Sequence, residues 1–358
     1  MTKPARSAFV LGATGFVGGH LLEVLAQTHP ELHLRCLVRS ASTQKVQGLQ
    51  ALNTNVEVID GSLEDSALIA DAAETADIIV NVASSDHLPS VEAILAGLKR
   101  DIAQNSHRRP IYLHMSGLGV IADNVKGEKI QHPKEWTDVG FKLEDCPPEN
   151  PHLAVDRQIL ALSSASQCRV RTFILFPGLI YGIGNSPRSG AWVPFFSGFA
   201  KAVGHAGTWG PGEVTQYCVH VKDVAQAVSC VLDAAQGGEL GDDSSGFLRD
   251  FDGADNVVEA DQWHPRKGES FFRPYSVDEL TNGRQIMFAK GLLSTPKEQP
   301  FPAAITDPLG PFGWSLLGSN GHARADRLAM LGWSAEWSKK EPLADTISDM
   351  LDLGLTGA

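Results

Sequence analysis

Short apolar runs alternate with longer stretches of helical periodicity through the first half of the chain. Ala8 to Leu11 reads as a buried strand, and the glycine-punctuated segment from Gly12 leads into an amphipathic helix. The pattern predicts further strands at Leu32 to Val38, Asn55 to Ile59, Asp77 to Ala83, Ile111 to Met115 and Arg171 to Phe176. Helices are expected between them, with two of the clearest near Leu88 to Asn105 and Leu153 to Ser164. Alternation of this kind implies an α/β fold, a Rossmann-type doubly wound parallel sheet of six strands.

Beyond Pro177 the pattern changes, and Gly, Pro and aromatic residues crowd 177–215, including Trp192, Phe195, Phe196, Phe199 and Trp209. The expected organisation is a nucleotide-binding unit over 1–176, to which 219–235 returns, and a smaller substrate-binding region over 177–358. Residues 238–269 are polar, acidic and aperiodic, which predicts an insertion or loop.

Composition narrows the function classes. The chain has 358 residues with 30 Lys+Arg against 42 Asp+Glu, a formal net charge of −12, so phosphate backbones and anionic lipid are disfavoured partners. No apolar run reaches the roughly 20 residues of a membrane helix, since Phe173 to Ile183 is broken by Pro177, Gly178 and Gly182. The basic opening Met1 to Arg6 is followed by an apolar run cut at once by Gly12, and reads as part of the fold rather than as a leader. Five cysteines without a CxxC pair suggest no zinc site and no disulfide framework, which makes a reducing, cytoplasmic setting the expectation.

Gly12, Gly15 and Gly18 directly follow the first strand and open the first helix, where a dinucleotide pyrophosphate rests on backbone amides. The spacing is GxxGxxG rather than GxGxxG. An acidic residue at the end of the second strand would hold ribose hydroxyls, whereas this chain reads Leu37-Val-Arg39-Ser40. Arg39 and Ser40 there favour NADP over NAD.

These residues resemble the short-chain dehydrogenase/reductase superfamily in its extended, epimerase/dehydratase form. The matches are Gly12 to Gly18, Gly61-Ser-Leu-Glu-Asp65, Asn81-Val-Ala-Ser84, Phe176-Pro-Gly-Leu-Ile-Tyr-Gly182, Val219-His-Val-Lys-Asp-Val224 and Leu331-Gly-Trp333. Ala83-Ser-Ser-Asp-His-Leu-Pro89 and His152-Leu-Ala-Val-Asp156 resemble fungal members in particular. The resemblance implies Thr14, Gly15, Phe16, Val17 and Gly18 on the pyrophosphate. It also implies Ser62 and Leu63 beside adenine, Ala83 and Ser84 near the ribose, and Pro177, Gly178 and Leu179 near the nicotinamide. Ser62 departs from the aspartate usual at its position.

The resemblance also implies a serine or threonine after the fifth strand and a Tyr-x-x-x-Lys on the next helix. Between residues 112 and 181 no such pair occurs; His152 stands at the tyrosine position and Asp156 at the lysine position. Spacing of four is expected to put them on one helical face. His152 would then act as acid or base with Asp156 as its orienter and ribose ligand, while Ser116 polarises a substrate oxygen. A shift of one residue would put Gly117 at the serine's place.

His114 is expected in the core, and His205, Trp209, Tyr217 and Trp192 are candidate pocket walls. Tyr181 is a further phenol near the cleft, expected to pack. The apolar positions Leu153, Ile159, Leu160 and Leu162 fit either a homodimer bundle or the sheet. Three functions are open. One is an NADP-dependent oxidoreductase acting on a carbonyl or alcohol of a small organic substrate. The second is a non-redox isomerase, dehydratase or hydrolase, and the third a non-catalytic NADP-sensing regulator. The oxidoreductase is the first expectation.

Overall fold

The computed structural model describes residues 6–163, 170–185, 192–237, 273–274 and 284–352, so the expected insertion at 238–269 lies outside the described residues. Six strands form the central sheet: β1 (Ser7–Leu11), β2 (His33–Val38), β3 (Val56–Asp60), β4 (Ile78–Asn81), β5 (Ile111–Met115) and β7 (Arg171–Leu175). All their pairings are parallel, in the order β3-β2-β1-β4-β5-β7. The chain therefore reverses direction of travel between β1 and β4, and the crevice outside the carboxyl ends of those strands is where such sheets bind ligands.

Helices cover both faces because the strands are apolar on both sides. On one face α1 (Phe16–Thr28) and α7 (Val221–Gly237) bury Leu21, Leu22, Leu25, Val224, Val228 and Leu232 against Val10, Cys36 and Val80. On the other, α3 (Ser66–Thr75), α4 (Leu88–Gln104) and α5 (Leu153–Ser163) pack Ile69, Ile94, Leu98 and Ile159 against Phe9, Ile79 and Tyr112. The remaining helix of this unit, α2 (Thr43–Leu52), is capped by Ser42, whose side chain accepts from the Lys45 N–H. Leu153, Ile159 and Leu162 are buried in the chain's own core, so these apolar positions on α5 are used internally.

After β7 the chain makes β8 (Leu179–Tyr181), α6 (Trp192–Val203), β9 (His205–Thr208) and β10 (Tyr217–His220), with β8 and β10 parallel neighbours. Later segments fold back on this region: β11 (Thr295–Pro300) pairs with β9, and β12 (His322–Arg324) pairs with β6 (Glu135–Thr137). Asp223 at the start of α7 fastens this return. Its carboxylate accepts the Trp337 N–H at 2.9 Å and the Ser338 N–H and hydroxyl at 2.7 Å each.

Tyr181 packs as expected, whereas Trp209 leaves the role of pocket wall. Tyr181 is buried and donates its hydroxyl to the Glu341 carbonyl at 3.0 Å, and Trp209 is enclosed against Phe199 and Phe301. Neither ring lines the cleft described next. Among the described residues no helix is long and apolar enough to cross a membrane.

Candidate active site

The site starts from the β1–α1 turn. Gly12 adopts φ +94°, and a Cβ there would lie 2.7 Å from the Ala83 nitrogen. Gly18 is tighter still, since its Cβ would fall 2.0 Å from the Gly12 carbonyl oxygen. Glycine is therefore required at both, and the result is a turn with bare backbone facing the crevice. Gly15 caps α1 without a side-chain bond, and the first turn of the helix has no acidic residue. Thr14, Phe16 and Val17 complete a helix N-terminus suited to an anionic group. These residues fit the pyrophosphate of a dinucleotide.

At the end of β2, Arg39 and Ser40 are exposed, and Ser40 turns the chain with φ 51°. Lys45 from α2 donates to the Arg39 and Ser40 carbonyls at 2.6 and 2.9 Å, bringing a second cation to this corner. Ser62 and Leu63 follow β3. Asp65 takes both the main-chain N–H and the hydroxyl of Ser62, at 2.6 and 2.9 Å. Ala83 and Ser84 follow β4, where the Ser84 hydroxyl accepts the Asp86 N–H. Pro177, Gly178 and Leu179 follow β7, and a Cβ on Gly178 would meet the Tyr217 carbonyl at 2.2 Å.

The expected chemical trio is brought together with different partners. His152 does not belong to the helix: it precedes α5 with φ 73°. The spacing argument that placed it on one helical face with Asp156 does not apply, because only residues inside a helix obey its period. Its Nδ1 instead meets the Asp86 carboxylate at 2.8 and 3.0 Å. A proton on Nδ1 donates to Asp86, which leaves Nε2 as the nitrogen with a lone pair to use. The His152 side chain is only 9% exposed, and Nε2 lies along the Gly117 to Gly119 backbone, 3.1 Å from where a Gly117 Cβ would be.

Asp156 is fully buried and turns to Ser116, whose hydroxyl bonds its Oδ2 at 2.7 Å. In this geometry it is neither the orienter of His152 nor a group exposed to a ribose. Burial pushes its carboxyl up to about 7, against the opposing pull of the Ser116 hydrogen bond and the nearby His152. Behind it lies His114 on β5, also fully buried, with Nε2 4.0 Å from Asp156 Oδ1. His114 Nδ1 receives Tyr112 and Asn81 at 3.1 and 3.3 Å. Asn81 Oδ1 is taken by the Ala83 N–H, so its amide nitrogen faces the ring, and the ring proton belongs on Nε2. Burial lowers the His114 pKa to about 4 and keeps the ring neutral.

Sequence reasoning singled out Ser116, His152 and Asp156 but gave Asp86 no role and left His114 to the core. Asp86 lies 66 residues from His152, and only the approach of the β4–α4 loop to the start of α5 joins them. The available signal was the carboxylate in Ser84-Ser-Asp86-His87, beside the segment already assigned to the ribose.

Ser116, Gly117, Gly119 and His152 line a cleft of about 130 Å³. Pro177 to Ile180, Gln216, Tyr217, Ser315 and Asn320 line it as well. Of the aromatic pocket candidates Tyr217 lies here, whereas His205 stacks on Phe301. Among the described residues no lysine or arginine lines the cleft.

Residues 5–100 match the NmrA-like family model. The chain is 32% identical to the oxidase ucsJ of Acremonium sp over 188 residues, 52% of this chain and 52% of that protein. It thus spans about half the length of that curated relative. The UDP-glucose 4-epimerase of Thermotoga maritima, solved with UDP-glucose, aligns with a TM-score of 0.59 at 16% identity over 98% of this chain and 99% of that one. The dTDP-glucose 4,6-dehydratase of Bacillus anthracis, solved with NAD, aligns with a TM-score of 0.57 at 15% identity over 97% of each. The chain has the Rossmann-like fold of these epimerases and dehydratases, and an oxidase is among its sequence relatives.

Proposed function

We propose that this protein is an NADP-dependent oxidoreductase acting on a carbonyl, or the corresponding alcohol, of a small neutral organic substrate. The observation that carries the reading is the Asp86-held imidazole of His152 on the wall of a cleft that also contains Ser116. The nicotinamide would supply or accept the hydride. What the chain adds is position and proton control.

The glycine turn and the open start of α1 would hold the pyrophosphate, and Arg39 with Lys45 would face a 2′-phosphate at the end of β2. Pro177 to Leu179 would lie against the nicotinamide. A substrate oxygen would sit between Ser116 and His152. In the reducing direction the imidazolium of His152 gives its Nε2 proton to the oxygen, while Asp86 fixes the ring and balances its charge. In the oxidising direction the neutral ring takes that proton back. Besides His152, the described polar members of the lining, Ser116, Gln216, Tyr217, Ser315 and Asn320, are neutral hydrogen-bonding groups, which suits an uncharged substrate.

The experiment is a calorimetric titration of nucleotide-free protein with NADPH, NADP, NADH and NAD, repeated for Arg39→Ala. The reading expects NADP(H) to bind at least tenfold more tightly than NAD(H), with Arg39→Ala removing most of that preference. Product formation at constant NADPH absorbance would favour a non-redox enzyme instead. Tight binding with no turnover across a panel of ketones and alcohols would favour a nucleotide sensor.

A further inference from the structure

Ser116 and Asp156 form a pair whose hydrogen bond runs in either direction. With Asp156 ionised, the Ser116 hydroxyl donates to Oδ2 and the serine oxygen shows only lone pairs to the cleft. With Asp156 protonated, the carboxyl donates to Ser116, and the serine hydroxyl proton is released toward the cleft. We propose that Asp156 sets, through its own proton, whether Ser116 offers a bound substrate a hydrogen-bond donor or an acceptor. The proposal rests on the oxidoreductase reading for its meaning: a ketone needs a donor, and an alcohol needs an acceptor.

The surroundings are built for such a change. Ser116 lies at the cleft while Asp156 is entirely enclosed, so the carboxyl reaches a substrate only through the serine. Asp156 Oδ1 and His114 Nε2 are both buried without a hydrogen-bond partner, 4.0 Å apart. An ionised Asp156 has the His114 N–H to draw toward it; a protonated Asp156 does not need it. The carboxyl, pushed up to about 7 by burial, changes state near neutrality, and the ring beside it, lowered to about 4, does not. Other groups that act on Asp156 are His152 ahead of α5 and Asp86 from the β4–α4 loop. Tyr112 on β5 and Cys146 also feel its charge. Asp156 is therefore a positioning residue acting through Ser116, distinct from His152 as the proton carrier.

Infrared spectroscopy of the nucleotide-free protein reads the pair directly. A protonated, buried carboxyl band is expected in acid, lost as pH rises through about 7 and absent from Asp156→Asn. In Ser116→Ala the band should move to higher frequency, because the acid form loses the oxygen it donates to. Its midpoint should move upward, because the ionised form loses its donor. Ser116→Gly serves the same purpose if Ser116→Ala does not fold. A band missing from the wild type, or one unmoved by removing the serine hydroxyl, overturns the proposal. The measurement needs no nucleotide, so failure of NADP(H) to bind in calorimetry is a separate result that strikes the oxidoreductase reading alone.

Discussion

The His114 imidazole and the Asp156 carboxyl face each other across 4.0 Å in the core beneath the cleft, each with one buried atom lacking a hydrogen-bond partner. Tyr112, Asn81 and the Ser85 main chain are the other polar groups beside the His114 ring, with His152 and Asp86 acting on it through their charge. An unfolded chain near pH 5 carries this pair as imidazolium and carboxylate. The folded protein holds both neutral, because burial disfavours charge on each. Folding thus moves a proton from the base to the acid.

That exchange predicts opposing pH dependences. His114 is depressed to about 4, so its contribution is favourable above the usual histidine range and lost as pH falls toward 4. Asp156 is raised to about 7, so its contribution is favourable in acid and lost as pH rises through 7. Between these limits the two slopes cancel in the wild type. Denaturant titrations from pH 4 to 8 should show Asp156→Asn gaining stability relative to wild type as pH rises. His114→Gln should gain stability relative to wild type as pH falls from about 6.5 toward 4, because only the Asp156 contribution is left. Parallel curves for all three proteins would contradict the assignment.

Gly18→Ala should be among the most damaging single-methyl changes, since its Cβ would lie 2.0 Å from the Gly12 carbonyl oxygen. Overpacking against main chain costs about 1 to 3 kcal/mol. Differential scanning calorimetry is expected to show a lowered Tm. Nucleotide binding should also fall, because the turn must open to accept the methyl group.

Asp223→Ala should loosen the return of the C-terminal segment. Its carboxylate satisfies two main-chain N–H groups and the Ser338 hydroxyl, and it is fully buried. Leaving buried donors without a partner costs about 1 to 3 kcal/mol each. Unfolding free energy is expected to drop by about 2 kcal/mol or more, with hydrogen exchange rising first at Trp337 and Ser338.

Asp86→Asn should slow turnover by about tenfold or more while leaving nucleotide affinity nearly unchanged, because it removes the carboxylate that fixes and balances His152. Steady-state kinetics should register the loss chiefly in kcat rather than KM. An unchanged kcat would mean that the bridge to His152 is only structural.

The fold was legible because its signals are local. Buried parallel strands are short apolar runs such as Ile78 to Val80, and Gly12 and Gly18 mark places where a side chain has no room. The ends of elements shifted by a residue or so; the second strand, read from Leu32, begins at His33. The candidate site was legible only in part. Ser116 bonds Asp156 and shares a cleft lining with His152, but the bond from His152 to Asp86 joins loops 66 residues apart, and no periodicity encodes it. The assumption that failed was that His152 lies within the helix. Its φ of 73° after Pro151 turns the ring away before α5 begins.

The most direct test follows NADPH absorbance during reduction of a panel of small neutral ketones by wild type and His152→Ala, with NADPH binding measured on both by calorimetry. Wild type should consume NADPH. His152→Ala should do so more slowly by a factor on the order of a hundred or more, with its nucleotide affinity retained. Equal consumption by the two proteins, with both binding NADPH, would show that His152 is not the proton carrier.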